Sequence, residues 1–470
     1  MAGQMAHLET IPPRAAKYGE LAEHLATRLE DCLMSNKLWP LYSHQVEAVD
    51  AARRGENVFV ATPAASGKSL GYYLPVMQAM LNDLKATALY LAPTKALEQD
   101  QRRHISELFC PDIIARGEFE TFDGDTPGPD RAVIRREARF ILSNPDMLHA
   151  GILPNHQNWR RLLANLKYVI IDEAHLYRGI FGSHLALLLR RLRRICARYG
   201  ARPQFILASA TLSNPTEFAK ALTGLDFTVI STDGSPYGSK DFIFWNPPLT
   251  DPAKSQRRSA SAEATVIFTD LIARDIRSLT FARTRRLSEI IYVHARERLL
   301  KQAPDKAGRI KPYRAGYLPE DRRKIEKELF GGLLDGVVAT SALELGIDIG
   351  SLDATVLTGY PGSVASAWQQ AGRSGRRQQR SLSIMVARND PMDQYFMRHP
   401  DFFFDSPSEA ALVNPRNRYI ADGHLMCAAW EMPLSPGDEN YFGGGYGERL
   451  ADLLDRGLLK ERRGRYYLSA

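Results

Sequence analysis

The residues with the clearest chemistry occupy positions 62–69, in the order Thr-Pro-Ala-Ala-Ser-Gly-Lys-Ser. Small residues let backbone N–H groups curl around phosphate oxygens at the N-terminus of a helix, where the helix dipole favours negative charge. The apolar runs 57–61 and 70–84 on either side predict the strand and the helix that such a loop needs. Because Thr62 stands where these loops usually carry glycine, a chance turn is the alternative.

A loop of this kind predicts specific contacts with ATP and Mg²⁺. Lys68 would reach the β- and γ-phosphates, and Ser69 would give its hydroxyl to the metal ion. Upstream, the amide of Gln45 suits the Hoogsteen edge of adenine and Tyr42 could stack on the ring, although Gln45 could also be an ordinary exposed helix residue. The candidate nucleotide-binding residues of this region are Tyr42, Gln45, Thr62, Ala65, Ser66, Gly67, Lys68 and Ser69.

Two carboxylates, Asp172 and Glu173, follow the apolar run 168–171. Such a run is typical of a strand buried on both faces, and open α/β sheets bind ligands at the carboxyl ends of their strands. Asp172 is suited to holding the Mg²⁺ shell, and Glu173 to orienting or deprotonating the water that attacks the γ-phosphate. An acidic helix cap is the alternative for an isolated pair. The phosphate loop upstream favours the catalytic interpretation.

Polar residues also follow other strand-like runs. Thr94 and Lys95 come after the run 86–93, Asn144 ends the run 138–144, and Asp125 lies in a turn between them. Because parallel strands end at the same rim of a sheet, these side chains could form a track for a sugar-phosphate backbone. Ordinary strand-to-helix loops are the alternative. Thr284 and Thr340 are the corresponding nucleic-acid candidates in the second half of the chain.

The second half has its own strand-like runs, at 278–284, 336–341, 354–358 and 381–387, but no second phosphate loop. Arg373 and Arg376, spaced by three after Gln369, would lie on one helix face. Guanidinium groups aimed at a triphosphate held by another domain act as arginine fingers, whereas a basic helix in contact with solvent or nucleic acid is the alternative. Asp348 offers a carboxylate to the ribose, and Gly346 is predicted to line the same nucleotide site.

Composition limits the possible classes of protein. The 470 residues are 44% hydrophobic and 24% charged, which is ordinary for a globular protein of two or three domains. The formal net charge of +7 fits a polyanionic partner. The 4 cysteines are scattered and predict neither a zinc site nor a disulfide framework. We find no apolar run long enough to span a membrane and no hydrophobic signal core, and we therefore expect a cytoplasmic protein.

We divide the chain into five segments. They are an N-terminal arm (1–40) with a helix-like stretch at 18–33, an α/β half (41–235), a linker rich in Gly, Ser, Pro and basic residues (236–262), a second α/β half (263–404), and a mainly helical segment (405–470). In the last segment, a helix, a basic glycine turn and an aromatic strand indicate a winged helix. The arginines in 190–194 are predicted to form a solvated helix face without a specific role.

In this order the motifs resemble those of the superfamily 2 helicases over nearly all of residues 41–377. In that family's terms, 62–69 is similar to motif I, 93–95 to motif Ia, 172–175 to a DEAH box, 209–211 to motif III, 340–348 to motif V and 369–376 to motif VI. The resemblance implies an α/β fold with two tandem RecA-like parallel-sheet lobes that grip one ATP. It also implies that His175, Ser209, Thr211 and Gln369 couple the ATP site to the nucleic-acid track.

A narrower resemblance points to the Hrq/YprA (MrfA-like) DNA-repair helicases. It rests on residues 41–45, 65–69, 177–184, 313–319 and 424–429. It implies a DNA helicase or translocase that moves 3′ to 5′ on single-stranded or forked DNA rather than RNA, in the nucleoid, with a monomer as a plausible state. That group usually continues into a zinc-binding domain with clustered cysteines, which this sequence does not contain.

Three other functions remain open at this point. An RNA helicase or a duplex translocase would use the same motifs, a metabolite kinase would share the phosphate loop, and a nucleic-acid-binding module would lack turnover. The paired carboxylates and the arginines of 369–376 argue against the last of these.

Overall fold

A computed structural model describes residues 3–109, 112–115, 117–251, 256–314, 316–344, 352–375, 379–405 and 408–469. The chain divides into two compact units. The phosphate-loop unit comprises Tyr18–Pro63, Gly67–Gly234 and Ala410–Ala470, and the second unit comprises Met1–Lys17, Ala64–Ser66 and Ser235–Glu409.

The strands, in chain order, are β1 (Met5–Ile11), β2 (Val58–Ala61), β3 (Thr87–Leu91), β4 (Phe119–Thr121), β5 (Phe140–Ser143), β6 (Leu166–Ile171), β7 (Gln204–Ser209), β8 (Thr228–Ile230), β9 (Lys240–Trp245), β10 (Leu249–Asp251), β11 (Gln256–Arg257), β12 (Ser278–Phe281), β13 (Ile310–Tyr313), β14 (Gly336–Ala339), β15 (Ala354–Thr358), β16 (Ser381–Val386), β17 (Leu459–Arg462) and β18 (Arg465–Leu468).

The helices are α1 (Thr27–Ser35), α2 (Ser43–Arg53), α3 (Ser69–Asn82), α4 (Lys95–Phe109), α5 (Gly128–Glu137), α6 (Pro145–Met147), α7 (Arg160–Ala164), α8 (Gly179–Arg198), α9 (Pro215–Thr223), α10 (Ala260–Ala273), α11 (Arg285–Gln302), α12 (Pro319–Phe330), α13 (Val364–Ala371), α14 (Pro391–Arg398), α15 (Asp401–Phe404), α16 (Arg418–Glu431), α17 (Glu439–Phe442) and α18 (Tyr446–Asp455). None of the helices in the described ranges combines the length and the hydropathy that a membrane span requires.

The phosphate-loop unit is built on a seven-stranded sheet in the order β4-β5-β3-β6-β7-β2-β8, and every pairing in it is parallel. Alternate residues of β2 enter different apolar clusters: Val58 and Val60 join one, whereas Phe59 and Ala61 join the other. The sheet is therefore covered on both faces, which explains why its strands read as continuous apolar runs. All its strands end at one rim, where the polar residues of the loops collect.

The sheet of the second unit has the order β1-β9-β16-β15-β12-β14-β13, with parallel pairings except between β1 and β9. The predicted architecture of two RecA-like parallel sheets is thus confirmed. Two details differ from the sequence analysis. The polar N-terminal arm contains β1, and the segment predicted to be a linker contains β9 and the short hairpin of β10 and β11.

The helix predicted at 18–33 is also shorter than expected, since α1 covers only Thr27–Ser35. Two backbone N–H groups before it donate to side chains, one on α1 itself and one on α3, rather than to helical carbonyl groups. Leu25 N donates to Glu30 Oε1 at 3.0 Å, and Ala26 N donates to Gln78 Oε1 at 2.7 Å. Because these N–H groups have hydrogen-bond acceptors, the backbone there can be irregular without leaving them unpaired.

The C-terminal segment forms a helical domain with its own apolar cluster, and β17 and β18 form an antiparallel hairpin at its end. This hairpin follows α18 directly, as the sequence analysis predicted for a winged helix. The turn between the two strands places Arg463 and Gly464 at φ 51° and 70°, which is typical of a tight two-residue hairpin.

The prediction that the arginines of α8 form a solvated face is wrong. Arg191 and Arg194 are buried. Arg191 pairs with Glu431 of α16, and Arg194 Nε lies 2.9 Å from Asp438 Oδ1. The counter-charges come from the C-terminal segment, so no local pattern around 190–194 could reveal them. Removing one partner of such a buried pair costs about 3–5 kcal/mol, because it leaves an uncompensated charge.

Candidate nucleotide site and nucleic-acid track

The phosphate loop joins β2 to α3, which begins at Ser69. Ala65 and Gly67 adopt positive φ angles of 64° and 75°. Alternation of left-handed residues with ordinary ones turns successive backbone N–H groups inward and produces an anion-binding concavity. Lys68 Nζ donates to Thr62 O and to Pro63 O, each at 3.2 Å. The ammonium group is therefore held over the loop, where a phosphate would be expected.

Gln45 is buried and is not an ordinary exposed helix residue. Its Oε1 accepts from Tyr42 N at 2.9 Å, and its Nε2 donates to Gly67 O at 2.7 Å. The Tyr42 ring stacks between Tyr18 and His44, with centroid distances of 5.6 and 6.0 Å. The structure thus ties Gln45 to the phosphate loop, while the stacking of Tyr42 on a base stays a prediction.

Asp172 follows β6 and is only 5% exposed. Its Oδ2 accepts from Tyr90 Oη at 2.7 Å and from Tyr72 Oη at 3.1 Å, and its Oδ1 accepts from Glu173 N at 2.9 Å. Burial raises the pKa of Asp172 and the neighbouring Glu173 carboxylate raises it further, whereas the hydroxyl of Tyr90 and the charge of Lys68 oppose the shift. Lys68 and Asp172 are therefore close enough to interact.

Glu173 is held in an unusual backbone conformation, with φ 48° in the left-handed region. A non-glycine residue there stores about 1–3 kcal/mol of strain, and such strain clusters at functional sites. Its Oε2 lies 3.5 Å from His175 Nδ1, and the same nitrogen lies 3.3 Å from Ser209 Oγ. The predicted coupling residues His175 and Ser209 are thus brought together with Glu173, whereas Thr211 is exposed.

The two residues predicted to hold Mg²⁺ also lie close together. The Tyr72 hydroxyl donates to Asp172 Oδ2 at 3.1 Å, and Tyr72 lies one turn after Ser69, the first residue of α3. A hydroxyl and a carboxylate are the oxygen donors that Mg²⁺ prefers, so the residues fit this ion. Within the described ranges, no group of three or more His, Cys, Asp or Glu could hold a metal ion. A Mg²⁺ ion here would depend on nucleotide phosphates for further ligands.

Four of the predicted nucleic-acid residues collect at the ends of the neighbouring strands β3, β4 and β5. Lys95 Nζ pairs with Asp125 Oδ1 at 2.7 Å. Thr94, Lys95 and Asn144 line an open cleft of about 330 Å³ together with the half-exposed Phe181. These four side chains therefore share one surface of the phosphate-loop unit, and its use as a track for nucleic acid stays a prediction.

Sequence reasoning missed Glu98, which lies under this cleft. It is fully buried, accepts from Asn144 Nδ2 at 2.9 Å, and has its pKa raised to about 7 by burial. It follows Thr94 by four positions on α4, which looks like an ordinary exposed acidic position on an amphipathic helix. Sequence reasoning also missed Tyr72 and Tyr90, because each tyrosine lies within an apolar run and looks like an ordinary core residue.

In the second unit, Thr284 and Thr340 follow the paired strands β12 and β14, in which Phe281 lies opposite Ala339. Thr284 is exposed and its side chain caps α11 by accepting from Leu287 N at 3.2 Å, and Thr340 is buried. The pairing brings these two predicted contacts to the same edge of the second sheet.

Gln369 and Arg373 are both buried in the second unit. Arg373 Nη2 donates to Glu344 O at 2.5 Å, and the Glu344 carboxylate accepts from Gln370 Nε2 at 2.8 Å. Arg373 therefore holds the stretch corresponding to motif V in this structure. Three other predicted residues, Gly346, Asp348 and Arg376, lie outside the described residues.

Most of the chain matches known protein families. Residues 42–218 match the DEAD/DEAH box helicase family, residues 263–378 match the helicase conserved C-terminal domain, and residues 413–470 match the winged helix domain of ATP-dependent helicase HRQ1. The predicted winged helix in the C-terminal segment is thereby confirmed.

Two curated relatives are similar along almost the whole chain. The uncharacterized ATP-dependent helicase YprA of Bacillus subtilis is 45% identical over 457 residues, which is 97% of this chain and 60% of that protein. ATP-dependent helicase HRQ1 of Saccharomyces cerevisiae is 41% identical over 453 residues, which is 94% of this chain and 42% of that protein. The chain thus spans between 42% and 60% of the length of these two relatives.

A solved structure of the helicase MrfA bound to DNA and AMPPNP gives a TM-score of 0.94 at 44% identity. The match covers 99% of this chain and 65% of that chain. A second structure of MrfA, bound to DNA, gives the same TM-score of 0.94 at 43% identity and covers 62% of that chain.

Proposed function

The chain belongs to the superfamily 2 DEAD/DEAH-box helicases of the Hrq/YprA type, and we propose that it is an ATP-dependent DNA helicase or translocase. The observation that carries this proposal is that the loop after β2, with Lys68 held over it, and the buried Asp172 after β6 lie at the same rim of one parallel sheet, where Tyr72 of the helix after the loop hydrogen-bonds to Asp172. Sites that transfer phosphoryl groups from nucleotides combine a phosphate-binding ammonium with an acidic residue that holds Mg²⁺ and a residue that orients the attacking water.

The residues of the phosphate-loop unit can each be given a role in this reaction. The loop N–H groups and Lys68 hold the β- and γ-phosphates, and Gln45 links the loop to the adenine side of the site. Ser69 and Asp172 would hold Mg²⁺, which neutralises charge on the phosphates when bound. Glu173 orients the attacking water and accepts its proton. His175 and Ser209 contact Glu173 directly or through one another and relay its state.

The arginines of 369–376 are proposed to complete the reaction from the second unit. Arg376 is retained as the proposed finger, while Arg373 stabilises the motif V stretch through Glu344 O. An interaction made only while the γ-phosphate is present is lost on hydrolysis, so turnover would shift the balance between two conformations. We propose that this shift moves a nucleic-acid strand along the chain.

The proposed partner is single-stranded or forked DNA, contacted by Thr94, Lys95, Asp125 and Asn144 in one unit and by Thr284 and Thr340 in the other. The DNA in the MrfA structures supports DNA over RNA. Movement from 3′ to 5′, a role in DNA repair in the nucleoid, and action as a monomer are part of the same proposal. We also propose 41–235 and 263–404 as the two lobes, with β1 and β9 completing the sheet of the second.

Polarity can be tested with DNA duplexes that carry one single-stranded tail. We expect ATP-dependent strand separation from a 3′ tail, little separation from a 5′ tail, and little from a 3′ RNA tail, because only the 3′ DNA tail offers a loading site in the proposed direction. Gel separation of labelled strands measures this. Equal activity on both tails, or a preference for the RNA tail, would overturn the stated polarity or partner.

The alternative functions give different outcomes in the same preparation. A duplex translocase would hydrolyse ATP on duplex DNA without separating strands. A metabolite kinase would transfer phosphate to a small molecule and ignore DNA. A binding module would bind DNA with strong salt dependence but release no phosphate.

A further inference from the structure

Two tyrosine hydroxyls converge on one oxygen of Asp172. Tyr90 lies on β3, which pairs with β6 directly beside Asp172, and Tyr72 lies one turn into α3. Their hydroxyls lie 2.7 and 3.1 Å from Asp172 Oδ2, and both side chains are fully buried. The arrangement joins the sheet, the helix that follows the phosphate loop, and the acidic motif at a single carboxylate.

The hydrogen bonds determine which part of the carboxylate stays available. An ionised carboxylate has about four lone-pair sites, two on each oxygen. The two tyrosine hydroxyls occupy both sites of Oδ2, and Glu173 N occupies one site of Oδ1. Counting donors from the described parts of the chain, one site therefore remains, and it lies on Oδ1.

Neutral hydrogen-bond donors are well suited to orienting a carboxylate that binds a metal ion. A guanidinium or ammonium group at the same place would cancel much of the negative charge that attracts a metal ion, whereas a phenol orients the carboxylate and leaves its full charge. Tyr72 also lies one turn after Ser69 on α3, so its hydrogen bond ties Asp172 to the helix that carries the other residue proposed to hold the ion. Residues behind the ligands of a metal commonly tune its affinity by about 10- to 100-fold.

We propose that Tyr72 and Tyr90 are positioning residues that lock the Asp172 carboxylate so that a single Oδ1 lone pair faces the Mg²⁺ of bound MgATP. The inference rests on the proposed ATP site and adds two residues to it. Neither tyrosine touches the nucleotide; each acts through Asp172.

The test measures Mg²⁺-dependent nucleotide binding rather than turnover. We compare wild type, Tyr72→Phe, Tyr90→Phe and the double variant, using the Kd of a fluorescent ATP analogue in excess Mg²⁺ and in EDTA. The Kd in EDTA should stay at the wild-type value, because the loop and Lys68 are untouched. The tightening by Mg²⁺ should fall about tenfold in the double variant, with smaller losses in the single variants.

Tyr177→Phe is the matched control. Tyr177 is also fully buried and follows the acidic motif, but its hydroxyl has no hydrogen-bond partner within the described structure. It should therefore keep the full Mg²⁺ effect. Thermal unfolding of every variant shows whether it is folded, and the single variants carry the test if the double variant does not fold.

Two results would overturn the inference: an unchanged Mg²⁺ effect in folded Tyr72→Phe and Tyr90→Phe, or an equal loss in Tyr177→Phe. A wild-type protein whose binding of the analogue is equal with Mg²⁺ and with EDTA would also overturn the inference, whereas a wild-type protein that does not bind the analogue at all would instead refute the proposed ATP site itself. The two failures are thus distinguishable, because only failure of the ATP site abolishes binding of the analogue by the unaltered chain.

Discussion

Lys68→Ala is expected to abolish ATP turnover, with phosphate release reduced by at least about a hundredfold. Lys68 is buried in the loop and its ammonium lies 3.2 Å from two loop carbonyls, so no solvent-exposed lysine can take its place. Removal leaves the β- and γ-phosphates without their side-chain cation and removes the positive charge that interacts with Asp172. Steady-state phosphate release at saturating ATP measures the effect.

Lys85→Ala is the control for Lys68→Ala, because Lys85 is exposed beyond the opposite end of α3 from the phosphate loop. It should keep the wild-type rate. Turnover near wild type in folded Lys68→Ala would refute the assignment of the loop as the ATP site.

Glu173→Gln should separate ATP binding from hydrolysis. The substitution keeps the size of the side chain but removes the carboxylate that would accept a proton, a loss typically worth about 10²–10⁴ in rate. The strained backbone at Glu173 and the neighbouring His175 fix the carboxylate in place, so another group cannot easily substitute for it. We expect the Kd for MgATP to stay within about twofold of wild type, while single-turnover hydrolysis is reduced by those two to four orders of magnitude.

Glu137→Gln provides a comparison for Glu173→Gln, since Glu137 is an exposed carboxylate on α5 that pairs with its neighbour Arg136. Glu137→Gln should hydrolyse ATP at the wild-type single-turnover rate. Loss of ATP binding together with hydrolysis in Glu173→Gln would indicate a role in binding, and hydrolysis at the wild-type rate would remove Glu173 from the mechanism.

The parts of this protein that could be predicted from its sequence are those whose signals are local. The strands β2, β3, β5, β6 and β7 are mostly apolar along their length, because a parallel sheet buries both of their faces. Asp172 follows β6 directly and Lys68 lies in the loop after β2, so their positions at the rim follow from the strands. The track residues Thr94, Asn144 and Asp125 could be grouped for the same reason.

The parts that could not be predicted depend on contacts between residues far apart in the chain. β1 is half-exposed and pairs with β9, which lies more than 200 positions later in the chain. Nothing in the sequence of either segment indicates that the other is its partner. From its sequence neighbours Arg191 is expected at the surface, because its buried partner Glu431 is 240 positions away in the chain. Tyr72 and Tyr90 look like ordinary apolar positions, since only the fold brings their hydroxyls to Asp172. Hydrogen bonds and ion pairs between distant residues in a core produce no regular pattern of residue types, so a single sequence does not predict them.

The most direct test of the account is phosphate release by the wild-type protein with Mg²⁺ and ATP, measured alone and with single-stranded DNA, duplex DNA or RNA. If one ATP site drives movement along a DNA strand, single-stranded DNA should raise the rate by at least about tenfold, and more than RNA does, since occupancy of the track stabilises the hydrolytic state. A rate that no nucleic acid changes, or no phosphate release at all, would contradict it.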